Sequence, residues 1–184
     1  MTMVTLVAGN YTSSMLMTFM VRQLVIDPAT VRHGPSLQEN EEIEINKGKG
    51  DALTWEDLAK MKFTWRVALE TLRTVPTLFS NFRRAMQDID YDGTDTAVPK
   101  DGRFKNQSSV AVRPCSFVAF GGGPRICTGM EFASIETLVT MHHLVRRFRW
   151  KLCCMENTFV RDPLPSPLHG LPIESKDRGS PISM

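Results

Sequence analysis

The 184-residue sequence has no charged side chain before Arg22. Without a basic leader, residues 1–21 do not read as a secretory signal peptide. A membrane span is open on length but weak on hydrophobicity, because Asn10 and several Ser and Thr interrupt the run, and a buried helix is the preferred reading. CxxC spacing is missing as well. The four cysteines, Cys115, Cys127, Cys153 and Cys154, show no zinc-ligand spacing with His142 or His143. Adjacent Cys153 and Cys154 are poorly placed to pair with each other, so the chain reads as reduced and intracellular. The net charge is only +2, and no basic stripe interleaves with aromatics. No nucleic-acid partner is expected from such a distribution. No internal repeat is evident.

What is present fits one domain of ordinary composition, 42% hydrophobic and 23% charged. Residues 2–26 read as a buried helix: Val4, Leu6, Val7, Tyr11, Met15, Leu16, Phe19, Met20 and Leu24 recur near helical spacing. Asp27-Pro28 stops it. Residues 29–50 are polar. The acidic run Glu39, Glu41, Glu42 and Glu44 suits an exposed helix face, and Lys47-Gly48-Lys49-Gly50 a flexible connection. Thr54-Trp55-Glu56-Asp57 has the pattern of a capping box opening a short helix. A further helix runs from about Phe63 to Thr74 and stops before Pro76. It places Glu70 and Arg73 on one face, where they can pair. Asp88 to Gly93 reads as a strand entering a turn. After Gly129 a long helix spans roughly Met130 to Phe148, with Phe132, Ile135, Val139, His142, Val145 and Phe148 marking its buried side. His142 and His143 are expected to be helix-surface or packing residues rather than ligands. The tail from Ser175 is expected to be disordered.

One stretch organises the rest: Phe120-Gly-Gly-Gly-Pro-Arg-Ile-Cys-Thr-Gly129. Its glycines and proline exclude a helix or a strand interior. They make a loop poor in side chains, whose backbone can approach something flat or bulky. Cys127 stands at its exit, where a helix begins. A thiolate there gains from the helix N-terminus and from backbone N–H groups. Arg125 offers a fixed cation to a nearby anionic group. The alternative is a Gly-rich surface turn holding a structural cysteine.

Phe120-x-x-Gly123-x-Arg125-x-Cys127-x-Gly129 resembles the haem-binding signature of the cytochrome P450 monooxygenases. The resemblance implies a mainly α fold with small β elements, here the C-terminal part of the P450 fold and incomplete. It implies haem b with Cys127 as axial iron ligand. Arg125 would meet a haem propionate, and Phe120, Gly123 and Gly129 would shape the loop beneath the porphyrin. Other stretches match in order. Ala8-Gly9-Asn10-Tyr11-Thr12 resembles the oxygen-activating segment, with Thr12 as the catalytic threonine that helps deliver protons. Tyr11 stands where the family has an acid, and its phenol is a far poorer proton source near neutral pH. For Thr12 the alternative is a hydroxyl bonded back to a helix carbonyl. Glu70 and Arg73 match the family's ExxR pair, and Arg103 its third partner; together these three would form a structural core. Arg83, in a substrate-lining strand, would reach a propionate or else lie exposed. Leu168-His169-Gly170-Leu171 would be a hairpin tip near substrate.

The partial P450 domain is expected over residues 1–174, from the oxygen-activating helix to the terminal hairpin of 150–174, with 175–184 as the disordered tail. Only nine residues separate Gly93 from Arg103, where the family carries a longer passage, so the chain reads as shortened there. The family's N-terminal part, including its membrane anchor, is read as absent. The matching wording resembles plant P450s that oxidise terpenoids and sterol-like substrates. The resemblance therefore implies O2- and NADPH-dependent hydroxylation of a small lipophilic substrate, with NADPH-cytochrome P450 reductase as electron donor. The full-length family sits at the endoplasmic reticulum membrane. A truncated, non-catalytic P450 remnant without stable haem is the alternative. A thiol redox or metal module on Cys115 and Cys127 is weaker, because their spacing does not support it.

Overall fold

A computed structural model of the chain describes residues 2–26, 35–45, 47, 51–78, 117–153, 158–161 and 164–178. Among the described residues, five helices and four short strands follow in order: α1 (Thr2–Ile26), α2 (Pro35–Ile45), α3 (Trp55–Lys60), α4 (Lys62–Thr74), α5 (Met130–Arg147), β1 (Phe148–Leu152), β2 (Phe159–Arg161), β3 (Pro165–Pro167) and β4 (Ile173–Asp177). A single 3-10 turn, Gly123–Arg125, lies before α5.

Helices α1, α4 and α5 pack on one another. Their core joins Leu16, Met20, Val21 and Leu24 of α1 to Ala68 and Leu72 of α4 and to Met141 and Val145 of α5. A second cluster, Ile43, Met61 and Leu138, binds α2 and the α3–α4 junction to α5. The first half of α1 stands outside both. Met3, Leu6 and Val7 are largely exposed, and burial begins at Ser13. The expectation of a helix buried along its length is thus corrected, because only the half facing α4 and α5 finds apolar partners. No described helix is long and apolar enough to cross a membrane.

The capping box is present. Asp57 N–H donates to Thr54 Oγ1 at 3.4 Å, and Thr54 N–H donates to Asp57 Oδ2 at 2.8 Å. Lys47 reaches the same carboxylate at 2.9 Å. Helix α4 has no local cap; Glu39 of α2 supplies one instead. Its carboxylate accepts from Phe63 N–H at 2.6 Å and from Thr64 N–H at 3.2 Å. One member of the acidic run is thereby a capping group, whereas Glu41 and Glu42 are exposed as expected.

Three expectations at the C-terminal end change. Helix α5 stops at Arg147, and Phe148 opens β1. Phe132 is 69% exposed, since the buried stripe of α5 runs through Thr137, Leu138, Met141, His142 and Val145. The chain is ordered past Ser175. Strand β4 pairs antiparallel with β1, Phe148 opposite Asp177 and Leu152 opposite Ile173. Arg178 then closes the end of α5: its Nε donates to Val145 O at 2.8 Å, and its N–H donates to Arg147 O at 2.8 Å. Burial pushes this guanidinium below its ordinary pKa, with Arg149 adding in the same direction and Glu41 opposing. The other ladder is small, β2 against β3 with Phe159 opposite Pro167.

Candidate functional site

The cysteine loop leaves the core at Phe120 and rejoins it at Gly129. Gly121 and Gly123 have φ of 76° and 65°, a left-handed conformation that side-chain-bearing residues rarely adopt. Each bend is closed by backbone: Gly121 N–H donates to Val118 O at 2.9 Å, and Ile126 N–H to Gly123 O at 3.1 Å. Cys127 N–H donates back to Phe120 O at 2.8 Å, which draws the cysteine over the start of the loop. Cys127 itself is exposed, with a free thiol. Arg125 is exposed beside it. A Cβ on Gly129 would stand 3.9 Å from Cys127 Sγ, so glycine there keeps the sulfur's surroundings clear.

This donor set fits a haem held by one thiolate. The sulfur is unpaired and accessible, the loop around it carries few side chains, and a guanidinium stands two residues away. A single accessible sulfur suits a cofactor that brings its own nitrogen ligands.

The Glu70–Arg73 pair forms as expected. Arg73 Nε donates to Glu70 Oε2 at 2.8 Å and Nη2 to Oε1 at 2.6 Å, a two-pronged contact. Arg73 also lines a cleft of about 220 Å³ between the end of α4 and the segment Phe117–Ala119. That is below the ~300–1,000 Å³ of typical small-molecule pockets. Thr12 Oγ1 donates to Ala8 O at 2.7 Å, the back-bonded arrangement weighed above as the alternative. Tyr11 is 40% exposed. Thr12, on α1, and Cys127, on the loop before α5, thus belong to separate elements of one packed unit. Arg83, Arg103, Cys115, Cys154, the strand expected at 88–93 and the shortened stretch from Gly93 to Arg103 lie outside the described residues.

Sequence reading missed two groups around this framework. His142 is 2% exposed and Asn40 is fully buried; His142 Nδ1 and Asn40 Oδ1 are 2.6 Å apart and tie α5 to α2 across 102 residues. The packing half of the expectation for His142 holds, and the surface half is corrected. His143 is exposed. Trp65 of α4 lies against Phe120 with ring centroids 6.3 Å apart and planes 17° from parallel. No local pattern announces either contact, since each partner is distant in sequence.

Among known proteins, the family profile described as Cytochrome P450 matches residues 1–104 and 100–173. The two matched segments meet beside Arg103, at the end of the stretch read as shortened. The chain is 37% identical over 190 residues to a beta-amyrin 28-monooxygenase of Panax ginseng, covering 91% of this chain and 39% of that protein. It is 38% identical over 192 residues to cytochrome P450 716A2 of Arabidopsis thaliana, covering 91% and 40%. Among solved structures, the retinoic-acid-bound cyanobacterial CYP120A1 superposes with a TM-score of 0.79 at 25% identity, covering 95% of this chain and 45% of that one. The chain thus spans about two fifths of the length of these curated relatives.

Proposed function

Because the chain belongs to the cytochrome P450 family, we propose that it carries the haem-ligating part of a monooxygenase that hydroxylates a triterpenoid-like substrate. The observation that supports this most directly is the loop itself: a free, exposed Cys127 thiol on a backbone bent by two left-handed glycines. In this reading Cys127 would hold the haem through its sulfur, and Arg125 would offer its cation to an acidic group of the haem. Arg83, outside the described residues, is proposed for a second propionate. When bound, haem with a thiolate ligand supplies oxygen activation, one oxygen atom entering the substrate and the other leaving as water.

The chain's own residues do the rest. Cys127, as thiolate, binds through sulfur, and its backbone N–H holds the loop closed on Phe120 O. Thr12 Oγ1–H donates to the Ala8 carbonyl and can hand its proton on only by turning away from that bond. Tyr11 stands in the acid position in this reading. Glu70 and Arg73 pair with each other on α4, and Arg103 is proposed as their third partner. Two electrons come from NADPH through a reductase partner. The substrate class follows from relatives named as beta-amyrin 28-monooxygenases. An endoplasmic reticulum location is proposed on the same family ground.

A second reading, a non-catalytic P450 remnant without stable haem, is favoured by Tyr11 in the acid position. One measurement separates the two. With haem supplied, the reduced, CO-treated chain is expected to show a thiolate-ligated Soret band that Cys127→Ala abolishes. No haem uptake by the wild-type chain would sink the first reading and leave the second.

A further inference from the structure

Trp65 is the one side chain among the described residues that packs against both hydrophobic clusters. Its ring also stacks on Phe120, within the separation at which offset aromatic pairs attract. Phe120 is half-buried, whereas Gly122 to Thr128 are all exposed. The loop therefore has almost no packing of its own. Its glycine-rich backbone also loses more conformational freedom on ordering than other residues would. At its exit, the Met130 N–H to Cys127 O contact is long, at 3.4 Å. The firm attachment is at the start. The Phe120 ring rests on Trp65, and the Phe120 carbonyl accepts the Cys127 N–H at 2.8 Å.

We infer that Trp65 is a positioning residue for Cys127, setting the pose of the sulfur by fixing the Phe120 ring against the core. The inference rests on the reading of Cys127 as haem ligand for its functional meaning, though not for its geometry. A continuous line of contact runs from the core through the indole to the Phe120 ring, then through its carbonyl to the cysteine amide. The indole suits this place because it is broad, flat and has only two side-chain torsions. It can be wedged between two clusters and still present a face. A leucine could fill volume there but offers no plane for the phenyl ring. The same ring walls a groove with Met130, Ser134 and Leu138 of α5, so it also borders the exit side of the loop.

The test uses the full chain without haem, isotopically labelled, with amide hydrogen exchange read residue by residue. In Trp65→Leu the Cys127 amide is expected to exchange at least about tenfold faster than in wild type, while the Leu72 and Met141 amides keep their rates. Trp65→Phe is expected to restore most of the protection. Phe120→Leu is expected to reproduce the Trp65→Leu effect, and the double variant to add little to either, as for two residues acting through one contact. With haem supplied, Trp65→Leu is expected to weaken the thiolate-ligated Soret band where Trp65→Phe does not. An unchanged Cys127 amide in Trp65→Leu overturns the inference. So does an acceleration that merely keeps step with Leu72 and Met141, the sign of a general loss of stability. If the wild-type chain takes up no haem, the ligand reading falls, and the amide rates alone decide the role of Trp65.

Discussion

Three hydrogen bonds converge on the Asp57 carboxylate: from Lys47 Nζ, from Thr54 N–H and from Thr54 Oγ1. They hold its pKa far below the ordinary 3.8, the Lys47 bond contributing most. A carboxyl depressed on folding stabilises the protein fully above its unfolded value, and the contribution is lost as pH falls towards the folded value. Stability should therefore decline through this group only below about pH 4. In urea titrations Asp57→Asn is expected to lower the midpoint at pH 7 and to flatten its fall below pH 4. An equally steep acid limb in the variant would show that other carboxyls dominate there. At Glu70 the two-pronged contact to Arg73 is partly buried. Glu70→Ala is expected to cost about 1–3 kcal/mol by urea unfolding. Arg73→Lys is expected to be nearly as damaging, since an ammonium cannot reproduce the fork.

Among elements, α4 depends on a carboxylate from another helix. Glu39→Ala is expected to cost about 1 kcal/mol, the usual value of a lost N-cap, and to raise amide exchange at Phe63 and Thr64 before the rest of α4. Helix α5 is closed in the same non-local way by Arg178. Arg178→Ala should fray its last turn, with faster exchange at Leu144 and Val145 and an effect of about 1 kcal/mol. These two caps also mark where sequence reading stops. The Thr54–Asp57 box, the stop at Asp27-Pro28 and the glycine loop were legible because each is a local pattern with a local cause. Glu39 and Arg178 act on helices more than twenty residues away in the chain, so nothing beside them announces a cap. The last three residues of β4 fall in the expected tail, because a strand is stabilised by its partner and Ser175-Lys176-Asp177 lack the apolar pattern that suggests one. Phe132 lies on the helical wheel nearly opposite the centre of the buried stripe. The face of α5 is chosen by Leu138, Met141 and Val145 meeting their partners, and periodicity leaves that rotation open.

For the whole molecule, the apolar residues left outside the core matter most. Met3, Leu6, Val7 and Tyr11 follow one another at helical spacing along α1 and remain exposed. Stripes of this kind drive association when nothing covers them. Leu6→Glu with Val7→Lys is expected to shift the chain towards monomer in light scattering at raised concentration, without changing the unfolding midpoint. Association unaffected by the pair would place the sticky surface elsewhere, Phe132 being the next candidate. The family was legible in the sequence because ligand chemistry demands a fixed local wording. Trp65 was not, because what it does is join two clusters and a loop that only the folded chain brings together.

The same core sets how the chain must fold. Leu16 to Leu24 meet Met141 and Val145, and Asn40 meets His142 over 102 residues, so the central contacts join opposite parts of the sequence. Search for such distant partners slows folding relative to a bundle built from local contacts.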